Sequence, residues 1–190
     1  MEAHAGPTPM ALRKDALQVA TGLMQDVVAA AHRHPPHGRG TVGMVQVYPN
    51  SRNVIPGRVK FSIDLRNSTD ALVDEMAEEV KGYAAKLSEE TGLAIHIELV
   101  SSYPAQVFHA DCVDAVARAA GKLGYSNMPV VSGAGHDAVY MASLAPSGMI
   151  FIPCKDGISH NEIESAKPEH ITAGCNVLLH AMLERAGVVG

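Results

Sequence analysis

Cysteine is scarce in this chain, and its scarcity argues against one large class of small proteins. The 190 residues include three cysteines, Cys112, Cys154 and Cys175, and an odd number at wide spacing argues against a disulfide framework. We therefore expect three reduced thiols in a cytoplasmic protein. A nucleophilic role for Cys154 would need a base to activate its thiol, and the sequence specifies none.

Long apolar runs and excess basic charge are also missing. The apolar run at residues 148–153 is far too short to cross a bilayer, and the first ten residues show no basic segment followed by an apolar one. We therefore expect neither a membrane span nor a signal peptide. The net charge is -5 and no Lys/Arg stripe alternates with aromatics, so nucleic acid is not an expected partner.

Several catalytic signatures are absent as well. The chain has no HExxH and no CxxC, and Ser132 follows two valines, so it does not fit the G-x-S-x-G pattern of a serine hydrolase. Three histidines cluster beside two prolines, and we interpret them as a solvated helix end rather than a metal site: His32, His34 and His37.

The first half of the sequence has the pattern of a small α+β sandwich. Thr8 followed by Pro9 predicts the start of a helix that ends before His34, and a second helix is predicted over residues 70–90, with Gly92 as its stop. Apolar and polar residues alternate at 58–66 and again at 94–100, and 41–48 also resembles a strand. We expect these strands to form an antiparallel sheet.

The pattern changes near residues 104–108. Helices are predicted at 111–123, after residue 137 and from about Pro168, with short apolar strands at 128–131 and 148–153 between them. Strand, loop and helix in repetition are typical of an α/β unit with a parallel sheet. The predicted domains are therefore 1–106 and 107–190.

Two histidines follow the predicted parallel strands. His136 lies in the loop after the first strand, and His160 lies in the loop after the second. Ligands bind at the carboxyl ends of such strands, and a neutral imidazole is a good zinc or manganese ligand. The alternative is that both histidines cap or hydrogen-bond locally. A metal site needs three or four ligands, so we do not expect this chain to build one by itself.

A second candidate site lies in the first half. Arg66 is on the polar face of the 58–66 strand, and Asn53 is in the preceding loop. A guanidinium forks onto a carboxylate through two hydrogen bonds, and an amide can add a third donor. The alternative is a surface arginine that pairs with Asp64 or Glu98. His4 lies among small residues that leave its imidazole accessible to a ligand, which is weak evidence alone.

Together these segments resemble one family. The sequence contains, in order, HAGPTPMALRKDA at residues 4–16, NVIPG at 53–57, DLR at 64–66, SGAGHDA at 132–138 and GISHNE at 157–162. They resemble the M20-type peptidase/amidohydrolase group, in the branch of N-carbamoyl-L-amino-acid hydrolases, allantoate amidohydrolases and β-ureidopropionases. One departure is Pro7, where this branch often has threonine.

The resemblance implies a dinuclear-metal hydrolase domain with a parallel sheet, interrupted by an α+β lid that also forms a homodimer. Residues 1–106 would be the lid, and 107–190 would be the C-terminal part of the catalytic domain. His160 matches a metal ligand, Asn53 and Arg66 match the binders of the substrate carboxylate, and His4 matches a catalytic histidine that reaches the partner subunit's active site. The resemblance assigns no role to His136.

The implied chemistry is hydrolysis of an N-carbamoyl or ureido acid with the help of two divalent ions, zinc or manganese. The ions would activate a water, an upstream carboxylate would take its proton, and His4 would stabilise the oxyanion. The family's other ligands lie in segments that this sequence does not contain, so we expect the isolated chain to be inactive. The alternative is a catalytically silent module that dimerises and grips a carboxylate.

Overall fold

The computed structural model describes residues 2–187, which divide into two compact units between Ala105 and Gln106. The division lies one residue before the predicted boundary. The first unit contains the strands and two long helices: β1 (Ala3–His4), α1 (Ala16–Arg33), β2 (Arg39–Thr41), β3 (Val45–Tyr48), β4 (Val54–Ile55), β5 (Arg58–Phe61), β6 (Asp64–Arg66) and α2 (Asp70–Thr91). The second unit contains three helices: α3 (Ala110–Lys122), α4 (Ala138–Ala142) and α5 (Pro168–Ala186).

The strands of the first unit pair antiparallel, as expected: β1 with β4, β2 with β6 and β3 with β5. The predicted long strands at 41–48 and 58–66 are each interrupted. Thr41 pairs with Asp64 and Val45 with Phe61, so three residues oppose two between the ladders. This mismatch has the form of a bulge, which divides each strand and shifts the alternation of faces in the 41–48 segment.

The core of the first unit lies between the ladders and the two helices. Leu23 and Val27 of α1 meet Val80 and Ala84 of α2, and the alternating apolar side chains of the 58–66 segment pack against them: Phe61, Ile63 and Leu65. The alternation in the sequence therefore predicts the buried face correctly, because successive side chains of a strand point to opposite faces.

Helix α1 begins later than predicted. Its N-cap is Asp15, whose carboxylate accepts hydrogen bonds from the backbone N–H of Leu17 (2.9 Å) and Gln18 (3.3 Å). Thr8, the predicted cap, instead donates its hydroxyl to the His4 carbonyl oxygen. Only the short 3-10 turn Met10–Leu12 lies between the two residues. The prediction for α2 is confirmed at both ends, with Thr69 as N-cap and Gly92 in the left-handed region at φ 66°.

Three predicted strands are not formed in the described part of the chain. Residues 94–100, 128–131 and 148–153 have no ladder partner, and no strand follows Arg66 in the described part of the chain. The segment at 148–153 nonetheless contacts the helices of its unit. A Cβ at Gly148 would meet Cys112 of α3, and one at Gly174 of α5 would meet Ile152. A strand is held by hydrogen bonds to a neighbour, and apolar side chains alone do not supply them.

The second unit has a small core between two helices. Ala115, Ala119 and Ala120 of α3 pack against Val177 and Ala181 of α5, with Ile150 partly buried beside them. Other large apolar side chains of this unit remain exposed, among them Met128, Val130, Phe151, Leu179 and Met182.

Candidate functional site

The structure brings the segment of His4 against the loop that carries Asn53. Strand β1 pairs with β4, so His4 lies opposite Val54, and the backbone N–H of Ala5 donates to the Asn53 carbonyl oxygen at 2.8 Å. Both side chains are exposed to solvent. Segments that are about 50 positions apart in the sequence are thus joined by one short ladder and by the hydrogen bond that follows it.

The imidazole of His4 has a defined donor atom. The Gly6 N–H donates to Nδ1 of His4 at 3.0 Å, so Nδ1 acts as an acceptor. In a neutral imidazole one nitrogen accepts and the other carries the proton. The proton of neutral His4 therefore lies on Nε2, which is the arrangement that a hydrogen-bond donor to a substrate oxygen requires.

Arg13 braces the loop that carries His4. Its guanidinium donates from NH2 to the Ala5 carbonyl oxygen at 2.6 Å and from Nε to the Thr8 carbonyl oxygen at 3.1 Å. Arg13 lies in one of the family-like segments, and no role for it was expected. An arginine a few residues after a loop of small and proline residues is the signal that would have identified it, because the carbonyl groups of such loops need hydrogen-bond donors.

Asn53 is oriented by a neighbour in its own loop. Its side-chain oxygen lies 3.1 Å from the Ser51 hydroxyl, which donates to it. That contact directs the carbonyl end of the amide toward Ser51, so the NH₂ end is the one turned toward other partners.

Arg66 lies on the exposed face of β6 and pairs with Asp64. Its Nε donates to one carboxylate oxygen at 2.8 Å and its NH2 to the other at 2.7 Å. The pairing with Asp64 that the sequence analysis held open is therefore present. The hydrogen bond from Arg66 holds the pKa of Asp64 below its usual value, and the same bond raises the pKa of Arg66.

His160 lies on a loop of the second unit in the left-handed backbone region, at φ 55°. Its backbone N–H donates to the Glu164 carboxylate at 3.0 Å, and its imidazole is exposed. Across residues 2–187 no three His, Cys, Asp or Glu side chains come together as a metal would need. The donor set described here therefore does not fit a complete metal centre, since a structural or catalytic site needs at least three protein ligands.

His136 forms a local hydrogen bond at the start of a short helix. Its Nδ1 accepts a hydrogen bond from the Ala138 N–H at 3.0 Å in the first turn of α4. The strands that were expected to precede His136 and His160 are not formed, so the alternative of local hydrogen bonding describes His136 correctly.

The histidine cluster near the end of α1 is partly buried. His34 contacts Glu79 of α2 at 2.7 Å and is largely buried, so this part of the histidine cluster joins two helices rather than facing solvent.

All three cysteines are free thiols, as expected. None of the helices described is both long enough and apolar enough to span a membrane.

Comparison with known proteins gives one consistent answer. The model of peptidase family M20/M25/M40 matches residues 2–184. The N-carbamoyl-L-amino-acid amidohydrolase of Rhizobium meliloti is 43% identical over 99% of this chain and 45% of its own length. The allantoate amidohydrolase of Escherichia coli K12 is 30% identical over 92% of this chain and 43% of its own length.

The solved structures agree with the sequence comparison. An amidase of the hydantoinase/carbamoylase family from Burkholderia multivorans superimposes with a TM-score of 0.93 at 50% identity, over 100% of this chain and 46% of its own. The chain thus spans a little under half the length of the relatives that it matches. The match to the family model covers nearly every described residue, and the chain belongs to peptidase family M20/M25/M40.

Proposed function

We propose that this chain is part of an amidohydrolase that cleaves the carbamoyl C–N bond of N-carbamoyl-L-amino acids or of a related ureido acid such as allantoate. The observation that carries the proposal is the β1–β4 pairing, which brings the backbone of the Asn53 loop against the segment of His4, whose neutral imidazole carries its proton on Nε2. Support comes from the two amidohydrolases that match over at least 92% of the chain.

Each of these side chains has a role that its chemistry suits. Arg66 binds the substrate carboxylate with its fork, and the NH₂ group of Asn53 adds a further donor. His4 donates from Nε2 to the carbamoyl oxygen, where negative charge develops during hydrolysis. Asp64 holds the Arg66 guanidinium in position before the substrate arrives. When the substrate binds, the guanidinium exchanges the carboxylate of Asp64 for that of the substrate.

The two units have different roles in this proposal. Residues 1–106 form the lid, and 107–190 form the C-terminal part of the catalytic domain. The segments at 128–131 and 148–153 become strands of a parallel sheet when neighbouring strands are present, since 148–153 already lies against α3 and α5.

We propose a cytoplasmic location on the basis of the three free thiols.

His160 supplies one imidazole to a metal centre whose other ligands come from outside this chain. The centre would hold two divalent ions, zinc or manganese, which supply an activated water for hydrolysis when bound. The exposed ring of His160 is compatible with that role.

We also propose a homodimer formed through the lid, with His4 reaching the partner subunit's active site. Its support is the exposed apolar turn beside the histidine, where Met10 is 76% and Leu12 73% exposed. Sedimentation of the chain should show a dimer that Met10→Glu dissociates, with Glu75→Gln as control. A monomer at all concentrations would contradict the dimer.

A chimera tests the proposed function. The segment of the Rhizobium meliloti amidohydrolase that matches this chain is replaced by this chain, and release of ammonia is measured with N-carbamoyl-L-alanine and with allantoate. We expect hydrolysis of at least one substrate. Arg66→Lys should chiefly raise KM, because a point charge replaces a fork.

The same assay separates the two candidate functions. A chimera that folds and binds the substrate without hydrolysis would favour the alternative, a silent module that dimerises and grips a carboxylate. An unchanged KM and kcat in Arg66→Lys would remove Arg66 from the carboxylate site. The native Rhizobium meliloti enzyme and its own arginine-to-lysine variant at the matched position serve as controls.

A further inference from the structure

The outward face of the β2–β6 ladder carries a second arginine. In this ladder Arg39 lies opposite Arg66, Gly40 opposite Leu65 and Thr41 opposite Asp64. Side chains of directly opposed residues lie on the same face of an antiparallel pair. Arg39 therefore shares a face with the arginine of the proposed carboxylate site.

The inward face of the same ladder is fixed by packing. Leu65 packs into the core with the helices, and a Cβ at Gly40 would collide with the Val27 carbonyl oxygen of α1. The helix therefore covers the Gly40 face, so Arg39, Thr41, Asp64 and Arg66 must face away from it.

The two arginines differ in how their charges are balanced. Arg66 forms a bidentate ion pair with the Asp64 carboxylate. Arg39 donates from NH1 to the carbonyl oxygens of Pro36 (3.1 Å) and Gly38 (2.8 Å), which are neutral acceptors. Arg39 forms no ion pair with any carboxylate of the described residues 2–187, so its charge is held in place without being neutralised.

Like charges directly opposite each other on a sheet are unfavourable. The repulsion between Arg39 and Arg66 is reduced when an anion binds between or beside the two guanidinium groups. Because Asp64 pairs with Arg66, the charge that no carboxylate of the described residues balances on this face is that of Arg39. Arg39 can therefore receive a second carboxylate of a ligand whose first carboxylate binds at Arg66.

We propose that Arg39 is a specificity residue that binds a second carboxylate, on the side chain of the substrate. The substrate class would then be the N-carbamoyl derivatives of acidic amino acids, with N-carbamoyl-L-aspartate as the simplest example. The proposal rests on the proposed function, in which Arg66 binds the substrate's α-carboxylate.

The test is a binding titration on the 190-residue chain, followed by the NMR signals of the arginine Nε–H groups. N-carbamoyl-L-aspartate is compared with N-carbamoyl-L-asparagine, which has nearly the same shape but lacks the second charge. We expect the aspartate derivative to bind about fivefold more tightly, the size of one exposed ion pair. Arg39→Gln should remove that preference and leave binding of the asparagine derivative unchanged.

Lys60→Gln is the matched control, because it removes one positive charge from an exposed position on β5. It should leave the preference intact. Equal binding of both ligands to the original chain, or an unchanged preference in Arg39→Gln, would overturn the role of Arg39 while leaving the Arg66 site in place. Failure of both ligands to shift the Arg66 signal would overturn the carboxylate site, and the role of Arg39 with it.

Discussion

Individual side chains in this protein are predictable where their partners are close in sequence. The Arg66–Asp64 pair needs only two residues of one strand, and it was one of the alternatives predicted for Arg66. The neighbourhood of His4 and Asn53 is different, because only the pairing of two distant short strands creates it. The resemblance to a family groups these residues by role, and the ladder joins the two segments that carry them.

The ion pairs of Glu79 have a consequence for stability against acid. Its carboxylate contacts His34 at 2.7 Å and Arg33 at 2.8 Å, and these two hydrogen bonds, that of His34 first, lower the pKa of Glu79 below its ordinary value of 4.5. A carboxyl whose pKa is lower in the folded state contributes stability above its unfolded pKa. That contribution is lost as pH falls through the folded pKa.

We therefore expect Glu79→Gln to lower the free energy of unfolding at neutral pH by no more than about 1 kcal/mol, since the side chains of Glu79 and Arg33 are partly exposed to solvent. The difference from the original chain should shrink as the pH falls below the ordinary pKa of the carboxyl. Urea unfolding at a series of pH values measures it. Glu75→Gln on the same helix is the control, and an equal, pH-independent effect of both variants would contradict the assignment.

Helices are the best predicted elements of this chain, and strands are the worst. The predicted bounds of helix α2 are correct to within one residue, because its apolar spacing and its terminal glycine are local signals. The strands at 128–131 and 148–153 have the right composition, but a strand also needs a hydrogen-bonding neighbour. The bulge between Thr41 and Val45 is likewise a property of two paired segments, so one segment read alone does not show it.

The start of α1 gives a direct comparison between a predicted and an observed cap. Asp15→Ala removes the acceptor of two backbone N–H groups, so we expect it to destabilise the chain by about 1 kcal/mol. Asp15→Asn should restore most of the loss, because an amide oxygen also caps. Thr8→Ala should have a much smaller effect, since Thr8 lies outside the helix. Thermal or urea unfolding that ranks Thr8→Ala above Asp15→Ala would show that the helix begins at the earlier residue.

At the scale of the whole molecule, the two units differ in how well each is packed. The first unit closes a core between two helices and its ladders, with Leu23 and Val27 nearly inaccessible. The second unit buries mainly small side chains and leaves large ones exposed on α5, including Leu178, Leu179 and Met182. A helix that is apolar on several sides is typical of one that other segments cover. The relatives are about twice as long as this chain, so they have the length to supply such segments.

The metal content should depend on whether the segments that this chain lacks are present. A single exposed imidazole binds zinc weakly, because affinity comes from several ligands held together, and His160 has no such companions among the described residues. We expect the 190-residue chain alone to retain far less than one equivalent of zinc or manganese after gel filtration, by elemental analysis. The chimera with the Rhizobium meliloti segments should retain about two, the number in the dinuclear centre of the proposal.

His160 itself is tested in the chimera. We expect His160→Ala to lower the retained metal by at least one equivalent, whereas His180→Ala, which removes another exposed histidine, should leave it unchanged. Because the readout is metal content, it does not depend on the choice of substrate. Full metal content in His160→Ala would show that this histidine is not a ligand. Tight stoichiometric binding by the chain alone would show that its own residues complete a centre, with His4, His136, Asp137 and Glu162 as the first ones to substitute.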